Sequence, residues 1–323
     1  MGRAWSTCAV TLWGMSNFSH GRLRDDVVAL FPGQGSISGG AGLGWQHSAH
    51  WGIVERISDG ARIDVAHLLL NASDEEVVRT DRAQIATFAL SLIGFLELLD
   101  RDVRPRYLLG HSLGEFSALV ASGMLSVDDG ARVIGVRGSA MARAAAATEG
   151  SMIALMGGDE AARVALSGFD DVWVANINGA GQIVVSGTLE GLNNLVTRHR
   201  ELGWRRATPL AVGGAFHSPI MAAAQSELDQ ALRSVEWRST ESILIANVDG
   251  RIHTAASEWV DLLSRQLTSP VEFLDATLAL PTSVTTTIEM PPGSVLTGLT
   301  KRIRDFGTQF APATLAELQE ITL

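Results

Sequence analysis

The sequence predicts an α/β fold with a small inserted subdomain, because two patterns of strands and helices follow one another along the chain. Short apolar runs alternate with segments of helical periodicity from 27 to 149 and again after 213, which indicates a mostly parallel sheet. Between 150 and 212 the order changes to strand, helix, glycine-turn hairpin, helix and strand. That β-α-β-β-α-β order is typical of a ferredoxin-like unit.

The first pattern begins with VVALFPGQGS (27–36), an apolar run ended by Pro-Gly and typical of a buried strand. Helical periodicity covers 83–99, a second buried strand covers 106–112, and Ser126 caps a helix that continues to 146. We therefore divide the chain into an irregular N-terminal extension (1–25), a large subdomain (26–149 and 213–310), a ferredoxin-like subdomain (150–212) and a C-terminal tail (311–323).

The composition of the 323-residue chain limits the classes of function. Apolar residues make up 46% and charged residues 19%, as in a globular protein with a sizeable core. The net charge of −10 argues against nucleic acid as a partner. One cysteine, Cys8, excludes an internal disulfide and favours a reducing, cytoplasmic compartment. We see no run of about 18 apolar residues and expect no membrane span.

Basic residues nevertheless cluster in two places along this acidic chain. One cluster contains four arginines and the other a lysine and two arginines: Arg198, Arg200, Arg205 and Arg206; Lys301, Arg302 and Arg304. They are either solvated surface or a docking site for an acidic partner protein, and the sequence leaves both open.

The stretch GHSLG at 110–114 matches the G-x-S-x-G pattern of a nucleophile elbow. An apolar strand precedes it and a helix follows, and the two glycines allow these elements to approach closely. The helix N-terminus supplies N–H groups and a positive dipole near developing charge. We therefore interpret Ser112 as a nucleophile rather than a turn serine, and the large subdomain as α/β-hydrolase-like.

A nucleophilic serine needs a base, and His217 is the best candidate among eight histidines. His217 follows the serine in the chain, as in α/β-hydrolases, and lies in a loop after a glycine pair. His111 adjoins the serine, so its side chain should point away. His47 and His50 have no further ligands at metal spacing, and we interpret them as a surface pair. No metal is expected.

Arg137 lies within an apolar stripe of the helix that follows Ser126. Ile134, Met141 and Ala144 share that stripe at i, i+3 and i+4 spacing. A buried guanidinium must find an anion, because its burial is otherwise costly. Either it forms a salt bridge with a core carboxylate, or its fork binds a substrate carboxylate with two hydrogen bonds.

These residues belong to a longer series of motifs: LFPGQGS, GHSLGEFSALVASG, GVRGSAM, GSMIALMGG, NINGAGQIVVSG, GAFHSPIM, NVDG, RQLTSPVEF and PPGSVLTGLTKRI. In this order they resemble the malonyl-CoA:acyl carrier protein transacylases and the acyltransferase domains and discrete acyltransferases of polyketide synthases. The resemblance covers residues 27 to about 305.

The resemblance implies a Ser–His dyad without a triad carboxylate. Ser112 would attack the acyl-CoA thioester, while His217 takes its proton and later returns it to the leaving thiol. Gln34 and Leu113 would donate backbone N–H groups to the oxyanion. Gln266 matches the residue whose backbone carbonyl orients the histidine.

The resemblance also implies the substrates. Arg137 would bind the malonyl carboxylate, with Gln84 and Asn178 lining the site and Phe216 crowding any α-substituent. The acyl group would pass from coenzyme A to the phosphopantetheine thiol of an acyl carrier protein, a transient partner, in fatty-acid or polyketide biosynthesis. No bound cofactor is implied, and we expect a monomer.

Three alternatives stay open at this point. Pro219 and Ile220 depart from the family pattern, so the acyl group could be a larger or unusual extender unit. A related enzyme could hydrolyse acyl groups from carrier proteins, although such relatives tend to lack the phenylalanine found here at Phe216. A catalytically silent scaffold could dock carrier proteins alone.

Overall fold

A computed structural model describes residues 22–323, which form two sheets. The predicted extension therefore lies outside the described residues up to position 21. The strands are β1 (Leu23–Phe31), β2 (Arg104–Gly110), β3 (Gly150–Met156), β4 (Val172–Gly179), β5 (Gln182–Thr188), β6 (Arg206–Pro209), β7 (Ile243–Ile245), β8 (Ile252–His253), β9 (Thr286–Glu289) and β10 (Thr308–Phe310).

Helices connect these strands and cover them. They are α1 (Ile53–Ala61), α2 (Val65–Leu70), α3 (Asp74–Val77), α4 (Thr80–Leu99), α5 (Leu113–Ala121), α6 (Val127–Ala147), α7 (Glu160–Val164), α8 (Leu189–Arg198), α9 (Ala222–Arg233), α10 (Trp259–Gln266), α11 (Phe273–Leu278), α12 (Val295–Ile303) and α13 (Leu315–Gln319).

The larger sheet has the order β10-β9-β1-β2-β7-β8 and is parallel except for the antiparallel β7–β8 pair at its edge. Alternate residues of β1 point to opposite faces. Ala29 and Phe31 pack in the core that contains α4, α5 and α6, whereas Val28 and Leu30 pack with residues of α11 and α12. Helices thus cover both faces, which confirms the predicted parallel α/β unit.

The smaller sheet is antiparallel and has the order β4-β5-β3-β6. Its strand and helix order is that of the predicted ferredoxin-like unit, and this part of the fold prediction is also confirmed. One face packs on α7 and α8 in a separate core, to which Leu155 and Val185 contribute. On the opposite face Met152 and Val184 join the core of the large unit.

An isolated parallel bridge links β4 to a loop of the large unit. Asn176 of β4 pairs with Val271, a residue between α10 and α11. The Ile177 N–H donates to the Val271 carbonyl and the Val271 N–H donates to the Ala175 carbonyl, each at 2.9 Å. The edge of the small sheet is thereby attached to the large unit.

Both ends of the large unit differ from the predicted division of the chain. Strand β1 begins at Leu23, inside the predicted extension, because Leu23 and Arg24 already pair with β2. The predicted tail contains α13, and its Leu318 and Ile321 are buried in the main core. Helix α13 has only five residues, too few for helical periodicity to be recognised in the sequence, yet its apolar side chains pack in the main core.

Helix α4 also corrects the expectation about apolar runs. By length and composition it could cross a membrane, and 89% of its apolar window is buried inside the protein. Such burial is what the central helix of a folded core requires, because an all-round apolar helix must be surrounded by other elements.

Candidate active site

Ser112 lies at the turn between β2 and α5, with φ of 53°. Both flanking glycines are required by close packing at this turn. A Cβ on Gly110 would lie 2.0 Å from the Gly114 carbonyl carbon, and a Cβ on Gly114 would lie 1.9 Å from the Phe31 oxygen. The serine therefore stands at a strained turn that places its hydroxyl at the carboxyl end of the sheet.

His217 lies within hydrogen-bond distance of this hydroxyl. Its Nε2 is 2.8 Å from Ser112 Oγ, and its Nδ1 is 2.8 Å from the Gln266 carbonyl oxygen. The carbonyl can only accept, so Nδ1 carries the proton and Nε2 accepts from the serine. This is the tautomer that a base requires. His217 also has a positive φ of 56°, which turns its ring out of the loop.

The surroundings of His217 keep the ring neutral. Burial, followed by the positive charge of Arg137, lowers the pKa of His217 to about 3, against the opposing effect of the Gln266 carbonyl. Only 4% of the residue is exposed. At neutral pH the imidazole is therefore free to accept a proton.

Arg137 is fully buried beside the serine. One terminal nitrogen donates to Ser112 Oγ at 3.1 Å and to Gln266 Oε1 at 2.9 Å, and the other donates to Gln84 Oε1 at 2.5 Å. The Phe116 ring lies 5.1 Å from the guanidinium carbon. Burial lowers the pKa of Arg137 to about 9, so it remains a cation.

The predicted alternative for Arg137 was a salt bridge with a core carboxylate. Within residues 22–323 no acidic side chain forms an ion pair with it. Its hydrogen-bond acceptors are two neutral amides and the serine hydroxyl. The cation is thus held by neutral groups, with the Glu115 carboxylate nearby but not in direct contact, which leaves its fork able to bind an anionic ligand.

Gln34 and Leu113 each begin a helical turn near the elbow. Gln34 is the first residue of a 3-10 helix that ends at Ser36, and Leu113 is the first residue of α5. N–H groups at such positions have no partner inside their own helix. The Gln34 side chain accepts a hydrogen bond of 2.8 Å from Thr80, at the start of α4.

Asn178 and Phe216 occupy the cleft between the two units. Asn178 accepts a hydrogen bond of 2.9 Å from His111 Nε2, so the His111 ring is directed to the small sheet rather than to the serine. Burial lowers the pKa of His111 and keeps this ring neutral. Phe216 is buried next to His217, and its carbonyl accepts from Ser186 of β5.

Two further buried residues belong to this network, and sequence reasoning assigned neither. Asn247 accepts from the Ser112 N–H at 2.6 Å and donates to the Gly110 carbonyl at 2.7 Å. Glu115 accepts from the Asn247 N–H at 2.7 Å and from the Gln266 side chain. Both lie within quoted motifs, NVDG and GHSLGE, and that membership is the signal that could have identified them.

The other histidines considered as ligands lie elsewhere. His50 Nε2 is 2.8 Å from Asp100 Oδ2, which directly follows α4. In the part of the chain that the structure describes, no group of three or more His, Cys, Asp or Glu residues is arranged to hold a metal ion.

A serine at an elbow, hydrogen-bonded to a neutral histidine, defines the class of enzymes that transfer acyl groups through an ester of that serine. Comparison with known proteins narrows this class. The sequence matches the family described as "Acyl transferase domain" over residues 28–317. The chain belongs to this family, as its motifs predict, and is an acyltransferase.

Relatives and solved structures agree with this assignment. The chain is 35% identical over 286 residues to the malonyl CoA-acyl carrier protein transacylase of Bacillus subtilis, covering 86% of this chain and 90% of that protein. The crystal structure of malonyl-CoA:acyl carrier protein transacylase from Xanthomonas oryzae superposes with a TM-score of 0.86 at 33% identity, over 92% and 98% of the two chains.

A second solved structure contains a complex. It is a holo type II polyketide synthase acyl-carrier protein with its malonyl-transacylase, and it matches with a TM-score of 0.85 at 29% identity, over 91% of this chain and 98% of that one.

Proposed function

We propose that this protein transfers a malonyl group from coenzyme A through an ester of Ser112 to the phosphopantetheine thiol of an acyl carrier protein. The observation that carries the proposal is the buried Arg137 cation, which donates a 3.1 Å hydrogen bond to the nucleophile and forms no direct ion pair with a carboxylate among the described residues. A malonyl carboxylate would supply the missing anion within reach of the thioester carbon.

In the first half-reaction Ser112 Oγ attacks the thioester carbonyl while its proton moves to His217 Nε2. The Gln266 carbonyl accepts from Nδ1 and stabilises the imidazolium that forms. The C–S bond then breaks, and Nε2 returns the proton to the coenzyme A thiolate. The second half-reaction is the reverse sequence with the carrier thiol as the nucleophile.

The oxyanion of each tetrahedral intermediate would be stabilised by the backbone N–H groups of Gln34 and Leu113. Their placement at the first residues of two helical turns supports this role, because the α5 dipole also favours negative charge there. The Ser112 N–H already donates to Asn247, so it is not available as a third donor to the oxyanion.

The acceptor in the second half-reaction would approach past the end of the small-sheet face that packs on the large unit. On β5 that face carries Ser186, which is buried and contacts the His217 loop, and Gln182, which accepts from Arg302 at 2.7 Å. Three residues of strand lie between Ser186 and Gln182, a distance of about 13 Å along β5. Cross-strand pairing through Met156 places Arg206 near Gln182. We call Arg206 and Arg302 the basic rim.

The basic rim suits the phosphate of a phosphopantetheine arm and the surface of an acidic carrier protein. Two other arginines of the predicted clusters, Arg304 and Arg198, contact neighbouring groups of the fold. Arg304 donates to three backbone carbonyls and stacks on Phe306, and Arg198 stacks on Phe169. The docking role therefore falls on only part of each cluster.

An assay with malonyl-CoA, with and without carrier protein, tests the proposed function. We expect malonyl-carrier to form much faster than free malonate. Dominant release of malonate would support the carrier-protein hydrolase instead, and failure to find a malonyl mass on Ser112 would support a silent scaffold. Competition among several acyl-CoA thioesters would reveal a larger or unusual extender unit.

The remaining features of the proposal follow from this chemistry. Exchange between thioesters and a serine ester needs no oxidant or metal, so the enzyme would work without a bound cofactor. It would act in the cytoplasm as a monomer, apart from its transient complex with the carrier. The divided large subdomain (26–149 and 213–310) would supply the dyad, and the small subdomain (150–212) would cover it.

A further inference from the structure

Glu115 is a buried carboxylate beneath the elbow that the proposed reaction does not use. It lies on α5, three residues after the nucleophile, and is 1% exposed. Burying a carboxylate without an ion pair is costly, and a glutamine would fill the same volume without that cost. Its presence therefore indicates a task that requires a carboxylate.

The geometry shows which task that is. The two carboxylate oxygens of Glu115 each accept from a different donor, the Asn247 N–H and the Gln266 Nε2. Gln266 Nε2 also donates to the Ser112 carbonyl at 3.0 Å, while its Oε1 accepts from Arg137 at 2.9 Å. An amide has one donor end and one acceptor end. The orientation of Gln266 thus decides whether it attracts or repels the guanidinium.

We propose that Glu115 is a positioning residue that fixes the Gln266 amide with its oxygen toward Arg137, and so holds the guanidinium beside Ser112 in the orientation that receives the acyl carboxylate. The inference rests on the proposed role of Arg137 as the carboxylate clamp. Glu115 touches no reacting atom and acts through Gln266.

The ionised form of Glu115 is the one that offers two acceptor oxygens. Burial opposes this form and raises the pKa of Glu115 to about 7, whereas the hydrogen bonds from Asn247 and Gln266 and the charge of Arg137 favour it and the charge of Asp249 opposes it. The hydrogen-bond geometry carries the inference, and the positioning effect should be strongest above about pH 7. The Gln266 backbone carbonyl holds His217 independently of its side chain.

The substitution Glu115→Gln would reverse the hydrogen bonding at one oxygen. If the new NH₂ group faced Asn247, two donors would meet beneath the elbow. If it faced Gln266, that amide would have to turn and direct its own NH₂ group at Arg137. Either arrangement leaves an unsatisfied donor in a buried network, which is unfavourable.

The test is a double-mutant cycle with Glu115→Gln, Arg137→Ala and the combined variant. Rapid-quench mass spectrometry measures acylation of Ser112 by malonyl-CoA and by acetyl-CoA, and the readout is the ratio of kcat/KM for the two. We expect Glu115→Gln to lower this malonyl preference by about tenfold. In the Arg137→Ala background it should not change the preference further.

Three controls keep the outcomes distinct. Glu97→Gln alters another buried carboxylate, which accepts from Ser48 and the Ala49 N–H, and should leave the preference unchanged. If Glu115→Gln does not fold, Gln266→Met is the substitute variant. It removes the side-chain amide that links Glu115 to Arg137 but keeps the backbone carbonyl that orients His217, and it should lower the malonyl preference by the same factor. An unchanged preference in the folded Glu115 variant, or in Gln266→Met, overturns the inference.

The failure of the clamp itself would look different. If Arg137→Ala leaves the malonyl preference intact, the proposed function of Arg137 is wrong, whatever Glu115 does. If Arg137→Ala removes the preference but Glu115→Gln reduces kcat/KM for both substrates by one common factor in both backgrounds, Glu115 is merely structural and only the inference fails.

Discussion

The Ser112 hydroxyl donates to His217 and accepts from Arg137, so its two partners use different parts of the same oxygen. In the proposed reaction the guanidinium would favour the alkoxide, while the neutral imidazole would remove the proton. The same positive charge lowers the pKa of His217. A bound carboxylate would offset that charge and make the histidine a stronger base when a dicarboxylic acyl group is present.

Replacing the nucleophile tests the covalent step directly. Ser112→Ala should abolish the malonyl mass on the protein and lower the rate of malonyl-carrier formation by about 10³-fold or more, because only binding and oxyanion stabilisation remain. Intact-protein mass spectrometry and a radiolabelled transfer assay measure both. A malonyl mass of unchanged intensity on the variant would place the nucleophile elsewhere.

The depressed pKa of His217 predicts a change in stability with pH. In the unfolded chain the ring binds a proton below about pH 6.5, but the folded ring stays neutral down to about pH 3, so stability is lost as pH falls through that window. Between pH 7.5 and 5.0 this linkage costs about 2 kcal/mol.

The comparison variant for this prediction is His217→Asn, because asparagine tolerates the positive φ of 56°. Urea unfolding at the two pH values should show that the variant loses about 2 kcal/mol less stability than the wild type. Equal losses in both proteins would mean that His217 titrates normally in the folded state.

The sequence suggests Ser112, His217 and Arg137 as candidate site residues because each residue type is conspicuous where it stands, and the structure brings the three side chains into contact. The sequence does not suggest Asn247 or Glu115, whose roles depend on contacts across the fold. Asn247 reaches Ser112 from 135 positions away, because β7 ends beside β2 in the parallel sheet. No local pattern contains that neighbourhood.

Among the elements, the elbow has the tightest packing. Strand β2 and helix α5 pack closely between Gly110 and Gly114. Helix α5 also packs against β1, where Gly114 contacts the Phe31 carbonyl. The turn places Ser112 in a backbone conformation that non-glycine residues rarely adopt. Because the two glycines permit this close packing, the surrounding backbone can hold Ser112 in its strained conformation.

A glycine pair tests this account of the elbow. Gly114→Ala would place a Cβ 1.9 Å from the Phe31 oxygen and should destabilise the protein by about 3 kcal/mol or more. Gly298→Ala on α12 has nothing within 4 Å and should stabilise by about 0.5–1 kcal/mol. Denaturant unfolding compares them, and similar stabilities for the two variants would contradict the packing argument.

Most elements lie where the periodicity of the sequence predicts them, and the differences have local causes. Helical periodicity extends over 188–202, but α8 ends at Arg198, because the chain then forms hydrogen-bonded turns up to Gly203, whose φ is 90°. A strand pattern covers about 204–212, but β6 ends at Pro209, after which only the Leu210 N–H donates to the Met152 carbonyl, at 3.0 Å.

At the scale of the whole molecule, charge is distributed unevenly over an acidic protein. The chain carries a net charge of −10, yet both arginines of the basic rim lie close to Gln182, at the start of β5. At low ionic strength, repulsion between the two negatively charged proteins would slow the association of an acidic carrier protein. The basic rim would orient the carrier protein once it is close.

Charge reversal at the basic rim tests the docking surface. Arg206→Glu and Arg302→Glu should each raise the KM for carrier protein about fivefold or more and weaken its dependence on salt. Acylation by malonyl-pantetheine, which carries no phosphate, should stay near the wild-type rate. Arg233→Glu, on exposed α9, serves as the matched charge control. If it raises the KM as much, docking is not local to the rim.

The bridge between Asn176 and Val271 attaches β4 of the small sheet to the loop between α10 and α11. Val271 lies five residues after Gln266, so the bridge and the carbonyl that accepts from His217 belong to one stretch of chain. A wide opening of the small unit would displace that carbonyl. We therefore expect coenzyme A to leave and the carrier protein to bind without a large opening of the small unit. Limited opening would protect the acyl-serine ester from hydrolysis between the two half-reactions.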